Sequence, residues 1–272
     1  MKSSQLGSRQ SGFSLIEMLV SVGVLMIILG AVFNYAGRLQ TLYKSQETNV
    51  DATQELRTFF DSIQREVHQA GFPSQNDYTF ATLASPAVND FRVAAGLVSL
   101  SKWEVWFEGD IDNDGFVDSV RYTLLDNSGN IASSASNCPC TLQRTVEKKT
   151  VNGAPSAVIA TADISTLGAA ALSNVINSAD ENNANALTIA GSTVLSGSSV
   201  ANDTLYSAYK TAPIFTGFKS DGSSVALPAS ATDLPNVRAI AITANVLTNY
   251  IDRQTQMRQP LTMKTTIKLN NY

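Results

Sequence analysis

From Phe13 to Tyr35 the chain is apolar almost without interruption, FSLIEMLVSVGVLMIILGAVFNY, and after that its pattern changes twice. The run exceeds the ~20 residues that an α-helix needs to cross the hydrocarbon core of a bilayer. Beyond it, apolar side chains recur at helical spacing. Leu39, Leu42, Val50, Leu56, Phe60, Ile63, Val67 and Ala70 fall on one face, with Lys44, Glu47, Asp51, Glu55, Asp61 and Arg65 opposite. The pattern predicts one helix, membrane-spanning over 13–35 and amphipathic over 36–71. Unbroken, it would be about 87 Å long at 1.5 Å per residue, far more than a bilayer needs, so its outer half must pack on a globular domain. Gly71, suited to a left-handed C′ position, and Pro73 just beyond predict where it stops. Gly23, Gly30 and Gly37 recur every seven residues and keep near one face, either as a place where another helix can approach closely or because glycine is common in membrane helices.

After Pro73 the period shortens to that of strands, expected at 91–100, 102–107, 119–125, 141–147, 212–219, 237–247 and 262–269. Val237, Ala239, Ala241 and Thr243 alternate with Arg238, Ile240, Ile242 and Ala244, as in a strand buried on at least one face. A helix followed by a run of strands predicts an α+β fold, the long helix packed on an antiparallel sheet within a β-rich domain over 72–272. Between Thr150 and Tyr209 the chain turns to Ala, Ser, Asn and Gly and has no aromatic residue before Tyr206. This stretch reads as a surface insertion with one short helix around 169–176.

Charge changes the picture little. The chain carries 19 basic and 23 acidic side chains, a net −4. Such a balance gives no electrostatic footprint for duplex nucleic acid. His68 is the one histidine, and no G-x-S-x-G, H-E-x-x-H or phosphate-cradling glycine loop is present. One histidine leaves little acid–base chemistry near neutral pH, and the chain reads as a non-enzyme. Cys138 and Cys140 form a C-P-C triplet, short of the four ligands of a structural zinc site and without C-x-x-C spacing. Outside the cytosol the pair could close a tight local disulfide, as a structural staple or a redox pair.

One stretch has the spacing for coordination chemistry. In DIDNDGFVD, Asp110, Asp112, Asp114 and Asp118 occupy the first, third, fifth and ninth positions, Gly115 permits a sharp turn, and the Phe116 carbonyl would fill the seventh. Hard oxygens at alternate positions of a tight loop suit Ca²⁺. Arg121 stands where an EF-hand needs its bidentate Glu, so the loop matches the shorter DxDxDGxxD turns between strands. The alternative is an ordinary polar hairpin turn. Crowding of four carboxylates favours the cation.

Glu17 is the exception within the apolar run, where a carboxylate costs about 2.5–3.5 kcal/mol, so it calls for a partner. In front lies MKSSQLGSRQSG, with Lys2 and Arg9 and no acid. Its small residue, Gly12, precedes the apolar run, whereas a secretory signal places its cleavage site after one. GFSLIEMLVSVGVLMIILG resembles the N-terminus of type IV pilins and pseudopilins. The resemblance implies cleavage of a 1–12 leader after Gly12 by a prepilin peptidase, N-methylation of Phe13, and pairing of the Glu17 carboxylate with the α-amino group of a neighbouring subunit. It implies an inner-membrane protein that assembles with other pilins into an extracellular pilus or a periplasmic pseudopilus. REVHQAGF at 65–72 resembles the helix end of PilW-like minor pilins and of the J-type pseudopilins of type II secretion, and the closing segments VRAIAITANVL and MKTTIKLNNY again resemble PilW-like minor pilins, with the J-type pseudopilins next. A calcium-dependent adhesin displayed on the filament is a further alternative.

Overall fold

The computed structural model describes residues 14–126, 128–132, 137–150, 152–177, 188–189, 208–209, 211–251 and 258–270. The described residues up to Gln46 form one compact unit and those from Glu47 onward a second. Helix α1 (Leu15–Gln69) is continuous. Its most apolar eighteen residues have a mean hydropathy of 2.6 and none is buried, so this part is long and apolar enough to cross a membrane.

Within the second unit α1 buries Ala52, Leu56, Phe59, Phe60, Ile63 and Val67. The packed face begins later than the sequence predicts: Leu42 and Val50 are 59% and 53% exposed. The helix ends where expected. Gly71 takes φ +82°, and its N–H donates to the Glu108 carbonyl at 2.9 Å instead of extending the helix. Asp110 N–H returns a bond to the Phe72 carbonyl at 2.9 Å, which sews the helix end to the sheet. Close approach here requires glycine on the facing strand, because a Cβ at Gly109 would lie 2.5 Å from the Gln69 carbonyl oxygen.

The strands are β1 (Leu97–Leu100), β2 (Glu104–Gly109), β3 (Asp118–Leu125), β4 (Asn137–Cys138), β5 (Cys140–Lys148), β6 (Ala169–Val175), β7 (Thr188–Ile189), β8 (Phe215–Phe218), β9 (Ala239–Ile251) and β10 (Arg258–Lys268). Among the described residues eight of them form one sheet in the order β1-β2-β3-β5-β6-β9-β10, with β8 also on β9. Its pairings are antiparallel, and β4 with β7 makes a separate parallel pair. Long N-terminal helix and antiparallel sheet give the α+β architecture the sequence predicts.

Alternation along the central strands sends side chains to two different cores. Val105, Phe107, Val120, Tyr122 and Leu124 join the α1 residues in the main core. Their neighbours Trp106 and Leu125 point to the opposite face and pack with Ile159 and Ile164. A short helix, α2 (Thr161–Leu167), supplies Ile164. Covered on both faces, β2 is buried along its whole length.

Two segments depart from the sequence expectation. The apolar stretch 91–100 becomes strand only from Leu97, because Asp90 and its neighbours hold the preceding backbone as a loop. The Asp90 carboxylate accepts from the N–H groups of Ala84 and Arg92, and Ala94 N–H donates to the Pro73 carbonyl. The helix expected over 169–176 lies earlier, at Thr161–Leu167, where Asp163 accepts from the Ala160 N–H at 3.0 Å. Residues Ala169–Val175 are instead β6, an interior strand between β5 and β9, so this part of the 150–209 segment belongs to the sheet and is not surface decoration. Alanine is a weak strand former, but backbone pairing to β5 and burial of Leu172 and Val175 override propensity.

Candidate functional site

Glu17 lies in the first turn of α1, exposed in an apolar segment that is itself exposed: Leu15, Ile16, Met18 and Leu19 each show well over half of their surface. Its side chain meets no partner among the described residues, while its carbonyl accepts the Ser21 hydroxyl at 2.7 Å. Gly12 and Phe13 lie outside the described residues. A helix with large apolar side chains all round is stable only when something apolar surrounds it, lipid or other helices. Among the described residues nothing in this chain covers the segment.

The Asp110–Asp118 loop closes the β2–β3 hairpin, whose register pairs Gly109 with Asp118. Two left-handed residues, Asn113 at φ +60° and Gly115 at φ +86°, turn the backbone tightly enough to gather the acids. One carboxylate oxygen from each of Asp110, Asp112 and Asp118 lies within 4.8 Å of the others. Backbone N–H groups aim inward at them: Asp114 and Gly115 donate to Asp110 at 3.1 and 3.0 Å, and Ile111 donates to Asp118 at 3.2 Å. Asp110 and Asp118 are buried, Asp112 and Asp114 exposed, and Phe116 is half exposed with its ring stacked on Phe91. Burial pushes the Asp118 carboxyl above its ordinary value, and the charges of Asp112 and Asp114 add to the push.

Asp114 stands apart from the three gathered acids. It pairs with Lys148, whose hydrogen bond holds its carboxyl below the usual range, and Lys148 also lies 3.4 Å from Asp112. Sequence reading missed this lysine. The signal was present, since Lys148 ends the strand that pairs with β3 and sits opposite Asp118.

Lys149 turns the other way and is wholly buried. Its ammonium donates to the carbonyls of Val88 and Val93 and to Glu108 Oε2 at 2.6, 3.1 and 2.8 Å, three acceptors for three protons. Glu108 Oε2 also accepts from the Ala95 N–H, so the pair fastens the 88–95 loop to the sheet. Such a pair does little for net stability, because desolvation offsets much of the attraction, but breaking it leaves a charge buried. Cys138 and Cys140 are joined in a disulfide, both buried in the main core, with Cα atoms 4.4 Å apart.

With helix, sheet and loop in place, comparison with known proteins adds one finding. Residues 7–33 match the prokaryotic N-terminal methylation motif, a span that includes Gly12, Phe13 and Glu17. The chain carries a type IV pilin-like N-terminus. No curated protein and no solved structure matches the chain.

Proposed function

We propose that this protein is a minor pilin, a structural or priming subunit of a type IV filament held in the inner membrane and assembled through its N-terminal helix. The observation that carries the reading is the first half of α1: an apolar, wholly exposed helix with one acid in its first turn, inside a methylation motif, leading into a sheet domain. Prepilin peptidase removes residues 1–12 after Gly12 and Phe13 becomes the methylated terminus. Glu17 then meets the α-amino group of a neighbouring pilin, which supplies the counter-charge that the apolar surroundings demand. The resemblance of the closing segments to PilW-like minor pilins favours a minor pilin over a J-type pseudopilin. The role is structural, with no substrate to turn over.

Mass measurement of the mature protein tests the first step, with a methylated Phe13 terminus expected. Glu17→Ala tests the second. Removing the acid makes the helix more apolar, so membrane insertion should persist while incorporation into filaments falls at least several-fold. An intact leader in cells with active peptidase, or full assembly of the variant, overturns the reading.

A second element of the proposal is calcium at the hairpin loop, favoured by the convergence of Asp110, Asp112 and Asp118. Asp114 and the Phe116 carbonyl complete the expected donor set once Lys148 gives up its carboxylates. Bound at 100 times its Kd, the ion would add about 2.7 kcal/mol to the folded state. The protein should melt higher in calcium than in chelator, and Asp112→Ala with Asp118→Ala should erase the difference. Identical melting curves return the loop to a polar turn.

A further inference from the structure

The two ends of the main sheet are finished differently. At β1 the outer side is met by Ala229, whose N–H donates to the Leu100 carbonyl at 2.9 Å. At the other end β10 (eleven residues) pairs, among the described residues, with β9 alone. The register shows which backbone groups this leaves open. Leu269 N–H donates to the Arg238 carbonyl, and hydrogen-bonded pairs alternate along an antiparallel ladder. Thr262, Lys264, Thr266 and Lys268 therefore turn their N–H and C=O groups away from β9. Pro260 occupies the same phase, where a missing N–H costs the ladder nothing. The side chains of these four residues are exposed as well.

Charge then limits what can pair there. Lys264 and Lys268 make no ion pair among the described residues, and neither β9 nor β10 contains an acid, so the edge is basic on a chain of net charge −4. Lysine and proline are devices by which proteins blunt an edge against uncontrolled pairing. A second copy of this strand meets like charge: antiparallel pairing centred on Thr266 sets Lys264 against Lys268, pairing centred on Lys264 sets it against itself, and pairing centred on Thr265 sets each lysine opposite a threonine but diagonal to a lysine. An acidic strand meets no such penalty.

We infer that the outer edge of β10 is a docking site for an extended acidic segment of a different subunit, added as a further strand with carboxylates four residues apart opposite Lys264 and Lys268. Main-chain hydrogen bonds supply the attachment and the two lysines the choice of partner. The inference does not depend on the pilin-like reading, because it uses only the sheet domain.

The test appends to the full chain, after Tyr272, a flexible Gly/Ser linker and an eight-residue strand of alternating Val and Thr with glutamates at two positions four apart. The tether raises the local concentration of the strand to the order of millimolar, enough for a weak edge contact to form. Hydrogen exchange should slow at least tenfold at the amides of Thr262, Lys264, Thr266 and Lys268. The same strand with lysines for glutamates should give no protection. Thr266→Pro should leave the protein folded, since only an outward N–H is lost, yet remove the protection. Equal exchange with glutamate and lysine strands, or protection that survives Thr266→Pro, overturns the proposal.

Discussion

The two halves of α1 face the same physics with different surroundings. Up to Gln46 the helix exposes Leu15, Met26, Ile27 and Phe33, each by more than 60% of its surface. From Glu47 onward the chain's own sheet covers the apolar face, and Phe59, Ile63 and Val67 are buried to within a few per cent. Each half also contains an acid at a telling place. Glu66 is met by Tyr122 Oη at 2.8 Å and by Arg144 at 2.9 Å, whereas Glu17 has no counterpart among the described residues. A single helix thus shows a finished interface and an unfinished one, and the second is the half that carries the methylation motif.

Truncating a core side chain should separate the halves most sharply. Phe59 packs edge-on against Phe60 and Tyr122, with ring centroids 5.2 and 6.1 Å away. Phe59→Ala should destabilise the sheet domain by about 3–5 kcal/mol, since transfer energy is lost and a cavity remains. Leu25→Ala, in the exposed half, should leave the domain's thermal midpoint unchanged. Equal shifts for the two variants would mean that the apolar half is part of the domain's own core.

A smaller effect is expected from the acids. Glu66→Gln removes the anion that Arg144 and Tyr122 share, where burial and the Glu66 charge already hold the Tyr122 phenol well above its ordinary pKa. Because Arg144 remains about a third exposed, water can solvate it, and the cost should be about 1–2 kcal/mol. Glu17→Gln should cost the domain nothing and act only on assembly. A loss at Glu66 that matches the full penalty of an isolated buried charge would show that water does not reach Arg144.

What could be read in the sequence follows the same division. Where solvent alone dictates the pattern, as in the run from Phe13, the acid at Glu17 or the stop at Gly71 and Pro73, local residues were enough. Where distant segments decide, they were not. Ala169–Val175 has the composition of a helix or loop and becomes a strand because β5 and β9 offer it backbone partners. Asn177 gave no hint of its position at the point where β9 changes neighbours from β8 to β6. Buried there, it accepts from the Asn245 N–H at 2.7 Å and donates to the Thr243 carbonyl at 2.8 Å. The acidic loop falls between these cases. Its three converging carboxylates were legible from spacing and turn residues, but the hold of Lys148 on Asp114 depends on strand register.

The smallest expected effect concerns pH. Asp90 is buried and accepts from Arg92 Nε at 2.9 Å, from the Arg92 N–H at 3.0 Å and from the Ala84 N–H at 3.0 Å. The hydrogen bond from the Arg92 guanidinium is the main cause that holds its carboxyl well below the usual carboxylate range. In the unfolded chain the group returns to an ordinary value of about 3.9. A depressed folded pKa means that this contribution to stability is present above the unfolded value and fades as pH falls through and below it. The thermal midpoint of the parent should therefore exceed that of Asp90→Asn at pH 6, and the gap should narrow between about pH 5 and pH 3. The loop that Asp90 ties down belongs to the sheet domain, so the exposed apolar half, whose single acid is Glu17, should contribute nothing to that narrowing. A gap that stays constant down to pH 3 would show that Asp90 acts through the shape of its hydrogen bonds alone, without its charge.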